Sequence, residues 1–193
     1  MPKVVDSEQR RAELTRVTAG EIARVGLDGV TLREIARAGG WTTGIVSHYF
    51  VDKRDLLLAT FRSRADAARD RIEVSLAGGA SMIDAIVDSA LPLDEEGALN
   101  WKVWLAFWGA AVGDPELSAA QQDRHRSFHR AIAQALAAEQ AAGRLRQELD
   151  VDHEARRLVA VLDGIAVQAV FEPQCWPAAV QRRVVAEHVA TLR

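Results

Sequence analysis

The sequence predicts an all-α protein, on three observations. Helix-favouring Ala, Leu, Arg and Glu are abundant in a 193-residue chain whose hydrophobic share of 49% and charged share of 26% are those of a folded domain. Only five prolines occur, and Pro92, Pro115, Pro173 and Pro177 all stand where helical patterns break. Between those breaks apolar residues recur every three to five positions, the spacing that lines one face of a helix.

Taken in order, the pattern predicts nine helices, three in front and six behind. Residues 7–26 form the first, with Leu14, Val17, Ile22 and Val25 inward and Gly26 and Gly29 punctuating its end. Thr31 stands three residues before Glu34, a capping-box spacing that opens a short helix carrying Leu32, Ile35 and Ala36. Gly39-Gly40 ends it. A second short helix opens on Thr42 or Thr43 and places Ile45, Val46 and Phe50 inward, beside Trp41.

A long helix follows from Lys53 to Ala77, ended by Gly78-Gly79. Behind it come 81–91, an acidic loop at Asp94-Glu95-Glu96, 98–112, a break at Gly113-Asp114-Pro115, 117–142, 152–171 and 178–192. No repeat or low-complexity linker interrupts the chain. The predicted domains are therefore 1–55, a helix-turn-helix reader, and 56–193, a regulatory and dimerisation domain, joined by continuous helix near 53–61.

Composition narrows the function classes. No N-terminal apolar run resembles a signal peptide, and no stretch nears the ~18–20 apolar residues that span a bilayer, which points to the cytoplasm. The lone Cys175 excludes an intramolecular disulfide and a cysteine-based zinc site. No Ser/His/Asp, Cys/His or phosphate-loop signature is present, so no catalytic residue, cofactor or enzymatic activity is expected. His125 and His129, one helical turn apart, have the spacing of a metal pair but no acidic partner pattern beside them, and solvated helix-face histidines are the plainer account. No metal is expected.

The net charge of −3 divides unevenly, +1 over residues 1–55 and −4 over the rest. A small reader on an acidic body still binds DNA if its cations converge on one face.

Two short helices and a glycine turn behind a supporting helix make a helix-turn-helix pattern, though plain bundles contain such corners too. The side chains favour the reader. Thr42, Thr43, Ser47, His48 and Tyr49 put donors and a flat ring on a helix short enough to enter a major groove. Gly44 costs a helix ~1 kcal/mol relative to Ala, a cost that close approach to DNA or a packed helix explains. Lys53, one of only three lysines, opens the next helix, where a cation and the positive helix end can address one phosphate. Arg33 and Arg37 can reach the backbone from the preceding helix. Trp41, Ile45, Val46 and Phe50 read as core.

The 27 residues from Thr31 to Leu57 resemble the DNA-binding region of the TetR family of bacterial regulators: a Thr-initiated helix, a turn, and a recognition helix with an inner glycine. The match continues through an aromatic/His cluster ending in Phe, then Lys and paired leucines. Gly44, His48-Tyr49-Phe50, Lys53 and Leu56-Leu57 carry it. The order His48-Tyr49-Phe50 departs from the commoner Tyr-Tyr-His-Phe and is similar to the branch typified by choline-responsive repressors of betaine synthesis. The resemblance implies DNA contacts at Thr31, Arg33, Thr42, Thr43, Gly44, Ser47, His48, Tyr49 and Lys53.

Further along, Trp101, Trp104 and Trp108, three of five tryptophans, share one helical face, and their Trp-Leu-Ala-Phe-Trp run is similar to the same branch. Indole faces can cage an organic cation through cation–π attraction of roughly 0.5–2 kcal/mol per contact. Phe107 and Phe128 could join Trp101, Trp104 and Trp108 in such a ligand site, with Asp94–Glu96 adding negative potential. A tryptophan-rich core or dimer face fits the pattern equally.

The last two helices carry Leu158, Val161, Leu162, Ile165, Val170, Val184, Val185, His188 and Leu192. In TetR-like proteins the corresponding pair packs against its symmetry mate, which implies a homodimer on a palindromic operator. The expected function is a transcriptional repressor released from double-stranded DNA by a small-molecule effector. A DNA-binding regulator without an effector, an activator or a constitutive binder, is the alternative.

Overall fold

A computed structural model describes residues 7–193, and the first six residues of the predicted reader lie outside the described residues. Nine helices occur among them: α1 (Ser7–Gly29), α2 (Leu32–Ala38), α3 (Thr43–Tyr49), α4 (Lys53–Ala77), α5 (Met82–Ala90), α6 (Glu95–Ala111), α7 (Pro115–Ala141), α8 (Val151–Phe171) and α9 (Ala178–Ala190). The all-α architecture, three helices followed by six, is as expected. Among the described residues no helix is long and apolar enough to cross a membrane.

The chain forms two compact units. One comprises residues up to Asp66 with Lys102–Ala120; the other comprises Ala67–Trp101 with Gln121–Arg193. Helices α4, α6 and α7 each begin in one unit and end in the other.

In the first unit, α1 buries Leu14, Thr15, Thr18, Ala19 and Ile22. The two threonines are tolerated because each hydroxyl donates to a carbonyl one turn back, Thr18 to Leu14 at 2.8 Å and Thr15 to Ala12 at 3.0 Å. Val25, expected inward, is 37% exposed, because Gly26 leaves helical geometry at φ 75° and redirects the chain just after it. Leu27 then supplies the next buried side chain.

The short α2 opens on a full capping box. The Glu34 amide donates to the Thr31 hydroxyl oxygen (3.2 Å), and the Thr31 amide donates to the Glu34 carboxylate (3.1 Å). Gly40, at φ 71°, makes the turn that an L side chain would strain. Thr42 is the N-cap of α3 and accepts from the Ile45 amide.

Also in this unit, Phe61 of α4 packs on Phe107 of α6, ring centroids 4.9 Å apart. The turn from α6 to α7 is tied to the start of α4. Arg54 Nη1 donates to Asp114 Oδ2 and its Nε to Glu116 Oε2, both at 2.6 Å. Asp114 simultaneously accepts the Glu116 and Leu117 amides at 3.0 and 3.1 Å, capping α7 behind Pro115. The Arg54 guanidinium and the Leu117 amide hold the Asp114 carboxyl at about 2, below the usual carboxylate range.

The second unit has its own core, in which α5, α7, α8 and α9 contribute Ile86, Ile132, Leu136, Leu158, Leu162 and Val185, among others, with Leu91 at the C-cap of α5. Trp101 is anchored there by its indole N–H, which donates to the Ala90 carbonyl at 2.6 Å. The expected acidic loop shrinks to Asp94, because α6 already begins at Glu95. The Asp94 carboxylate accepts the Gly97 amide at 2.7 Å, and Glu95 and Glu96 lie in the first turn of α6, where negative charge offsets the orphan amides.

Candidate nucleic-acid interface and effector site

The reader is built from α2, the turn at Gly39-Gly40 and α3. Val46 is the single buried residue within α3, and Phe50 follows at its C-cap, 1% exposed. At 100° per residue, Gly44 and His48 stand opposite Val46, with Ser47 beside them. All three are exposed, as are Thr42 and Thr43 at the helix start. Tyr49 is half-buried and holds the His48 ring edge-on, centroids 5.0 Å apart. Between α2 and α3 lies an open groove of about 630 Å³ lined by Thr31, Arg33, Arg37, Trp41, Thr42 and Thr43, among others. Arg33 and Arg37 are both exposed on it.

Some assignments shift in detail. Thr31 is exposed, but its oxygen is engaged in the capping box. Lys53 is half-buried and opens α4 as expected. The positive end of α4 is already served, however, since Asp52 Oδ1 accepts the Asp55 amide at 2.8 Å. Ile45, expected in the core, is 37% exposed because it lies roughly 100° around the helix from Val46. An apolar side chain on a reader suits the C5-methyl group of thymine.

Two arginines went unread in the sequence. The Arg10 guanidinium stands 5.6 Å from the Trp41 ring centroid, and that of Arg11 stands 4.3 Å from Phe50's. Arg11 Nη1 also donates to the Tyr49 carbonyl. A helical spacing pattern carries no signal for such long-range contacts.

The aromatic residues expected at the effector site fall in both units. In the first, Trp104 and Phe107 are buried at 3% and 2% exposure, and Trp108 is half-buried. In the second, Trp101 is 2% exposed and Phe128 is half-buried against the core.

The second unit also buries Gln121 and Arg124, polar groups that the sequence did not mark, beside His125 and Phe128. Gln121, Arg124, His125 and Phe128 follow i, i+3, i+4, i+7 on α7 and share a face. Gln121 is 9% exposed, and neither its amide nitrogen nor its oxygen has a hydrogen-bond partner among the described residues. Burial pulls Arg124 down to about 10, partly countered by Asp163 of α8. Burial pushes the Asp163 carboxyl up to about 6 despite the Arg124 charge. His125 is lowered by its own desolvation and by Arg124. No group of three or more metal-ligating side chains occurs among the described residues, and His129 faces the start of α8 with its Nε2 3.3 Å from the Asp152 carbonyl.

Residues 14–60 match the family model of bacterial regulatory proteins of the tetR family, and residues 79–193 match that of the BetI-type transcriptional repressor C-terminal domain. The chain belongs to the TetR family. It is a transcriptional regulator with a BetI-type C-terminal domain, not an enzyme.

The regulator BetI of Escherichia coli is 32% identical over 99% of this TetR-family chain and 100% of its own length. PksA of Bacillus subtilis is 29% identical over 100% and 94%. Among solved structures, a transcriptional regulator from Saccharomonospora viridis in complex with choline superposes with a TM-score of 0.85 at 26% identity, covering 96% of this chain and 97% of its own. A Rhodococcus TetR-family protein, TM-score 0.81 at 21% identity, shares the fold. TetR-family regulators bind DNA and dimerise.

Proposed function

We propose that this chain is a homodimeric cytoplasmic repressor that holds a palindromic operator through α3 and is released by a small organic cation bound behind the reader, in the domain that begins at about residue 56. The observation that carries the DNA half is the outward face of α3. Gly44, Ser47 and His48 are exposed together opposite the buried Val46, with Thr42 and Thr43 at the same end. Thr42, Thr43, Ser47 and His48 supply hydrogen-bonding groups, Ile45 an apolar contact and Tyr49 a ring. Lys53 and Arg33 bind phosphate, with Thr31 at the rim. Two copies related by two-fold symmetry would present two such helices to successive major grooves.

For the effector, support comes from α6. Trp101, Trp104 and Trp108 lie on one face of α6, the aromatic setting that organic cations prefer, and the S. viridis relative is bound to choline. Helix α6 continues from one compact unit into the other, and its last turn leads to the Asp114 clamp on Arg54, next to Lys53. An effector that prefers one setting of α6 would thereby bias the reader. Equal affinity for both settings would shift nothing.

The second reading, a DNA-binding regulator without an effector, is favoured by one observation. Trp101 and Phe107 are 2% exposed, as core residues are. The deciding experiment selects a duplex from a random library with the purified protein and titrates it with choline or tetramethylammonium while tryptophan fluorescence and DNA anisotropy are recorded. A fluorescence change with loss of DNA supports the full reading. Tight, salt-sensitive DNA binding with no response to either cation leaves the effector-free regulator. Failure to enrich any duplex removes both.

A further inference from the structure

The recognition helix is seven residues long and buries one side chain of its own, so little within it fixes its rotation about Val46. Two adjacent arginines on α1 supply contacts at its opposite ends. Before the helix, Trp41 packs against Gly39, where a Cβ would come within 2.1 Å of Trp41 Cζ3. Arg10 stands over the Trp41 ring at 5.6 Å and is itself held by Glu13 at 2.7 Å. After the helix, Arg11 donates to the carbonyl of Tyr49, one of the C-terminal carbonyls that α3 cannot pair internally, and covers the Phe50 ring at 4.3 Å. A cation at that end also complements the helix dipole.

We propose that Arg11, assisted by Arg10, is a positioning residue for DNA recognition: it brackets α3 and sets the angle at which Gly44, Ser47 and His48 meet the base edges, without contacting DNA itself. The inference rests on the reading of α3 as the DNA reader. It separates two roles that an α1 arginine can play. A phosphate contact contributes equally to every sequence and adds to the salt slope, whereas a positioning residue affects only the sequence-specific part.

The test compares wild type with R11A, R11K and R10A. Each is titrated with the duplex the wild type selects and with a scrambled duplex of equal length, between about 50 and 200 mM salt. Hydrogen exchange of the α3 amides is measured without DNA. R11A is expected to bind the selected duplex about tenfold more weakly, the effect of losing roughly one base contact. Its binding to the scrambled duplex should change less than about twofold, its salt slope should stay at the wild-type value, and its α3 amides should exchange faster. R11K keeps the charge but loses the flat cover on Phe50, and should recover only part of the difference. R10A should show the same pattern, smaller.

A parallel loss on both duplexes with a slope smaller by about 0.9 would make Arg11 a phosphate ligand and overturn the proposal. Unchanged α3 exchange in R11A, or unchanged affinity for the selected duplex, would overturn it too. If the wild type selects no duplex, the DNA reading itself has failed, and the exchange measurement still decides whether the arginines hold α3.

Discussion

Replacing Gly44 with alanine should move stability and DNA affinity in opposite directions. Gly44 is the second residue of α3, and its φ is not positive, so alanine is unstrained there. A Cβ built at that position meets only Thr42 Oγ1, at 3.7 Å, an ordinary van der Waals distance. The free protein therefore gains the helix preference of alanine over glycine, about 0.5–1 kcal/mol, arising largely from a less mobile unfolded chain. For a chain of this size that is a rise of roughly 1–4 °C in Tm. On DNA, the same methyl projects opposite Val46 into the surface assigned to the groove. The backbone can no longer approach as closely, and affinity for the selected duplex should fall about tenfold or more. Thermal melting and DNA anisotropy on one preparation measure both. A raised Tm with unchanged affinity would show that Gly44 does not face DNA and would sink the assignment of α3's outward side. A lowered Tm would refute the local geometry.

At the turn, Gly39→Ala should destabilise because its Cβ would overlap the Trp41 ring, and Gly40→Ala because φ 71° strains an L residue by ~1–2 kcal/mol; two unaltered melting curves would contradict both. Thr31→Ala removes the capping box and should cost about 0.5–2 kcal/mol in chemical unfolding, whereas a change below ~0.3 would show the cap to be redundant. Asp163 titrates near 6 when folded, above its ordinary value of 3.8, so the native state binds more protons than the unfolded chain between those pH values. Its contribution is therefore favourable at low pH and is lost as pH rises towards about 6, with a limiting slope near 1.4 kcal/mol per pH unit, and is constant above that. In urea unfolding from about pH 4.5 to 7, the difference between wild type and Asp163→Asn should carry that slope; parallel profiles would remove the assignment.

Much of the reader was legible because its signals are local. A capping box at Thr31–Glu34, a glycine turn and an N-cap at Thr42 act within four residues of themselves, and the helices formed where those signals stood. The limits of α4, Lys53–Ala77, followed for the same reason. Errors arose where an apolar residue had to choose a side. Ile45 and Val25 have the composition of core residues, yet the rotation of α3 about Val46 and the break at Gly26 leave each 37% exposed.

The last two helices show the same limit. Leu158, Leu162, Ile165, Val185 and Leu192 read as a partner-facing surface but fill the unit's own core. Val161 and Val184 pack against that same core, Val170 and His188 are half-buried, and Phe171 is 73% exposed.

The sequence by itself determined the helical class and the helix-turn-helix, since helix periodicity, caps and glycine turns are short-range physics. Only the tertiary structure decided which faces turned inward. It also decided that Arg11 reaches Tyr49, that Arg54 clamps Asp114, and that Arg124 and Asp163 share a desolvated site. Those pairs lie between 38 and 60 residues apart in sequence. No periodicity encodes such a distance. It is set when the packed helices bring charged groups together, and there the cost of burial and the gain of a partner are settled at once.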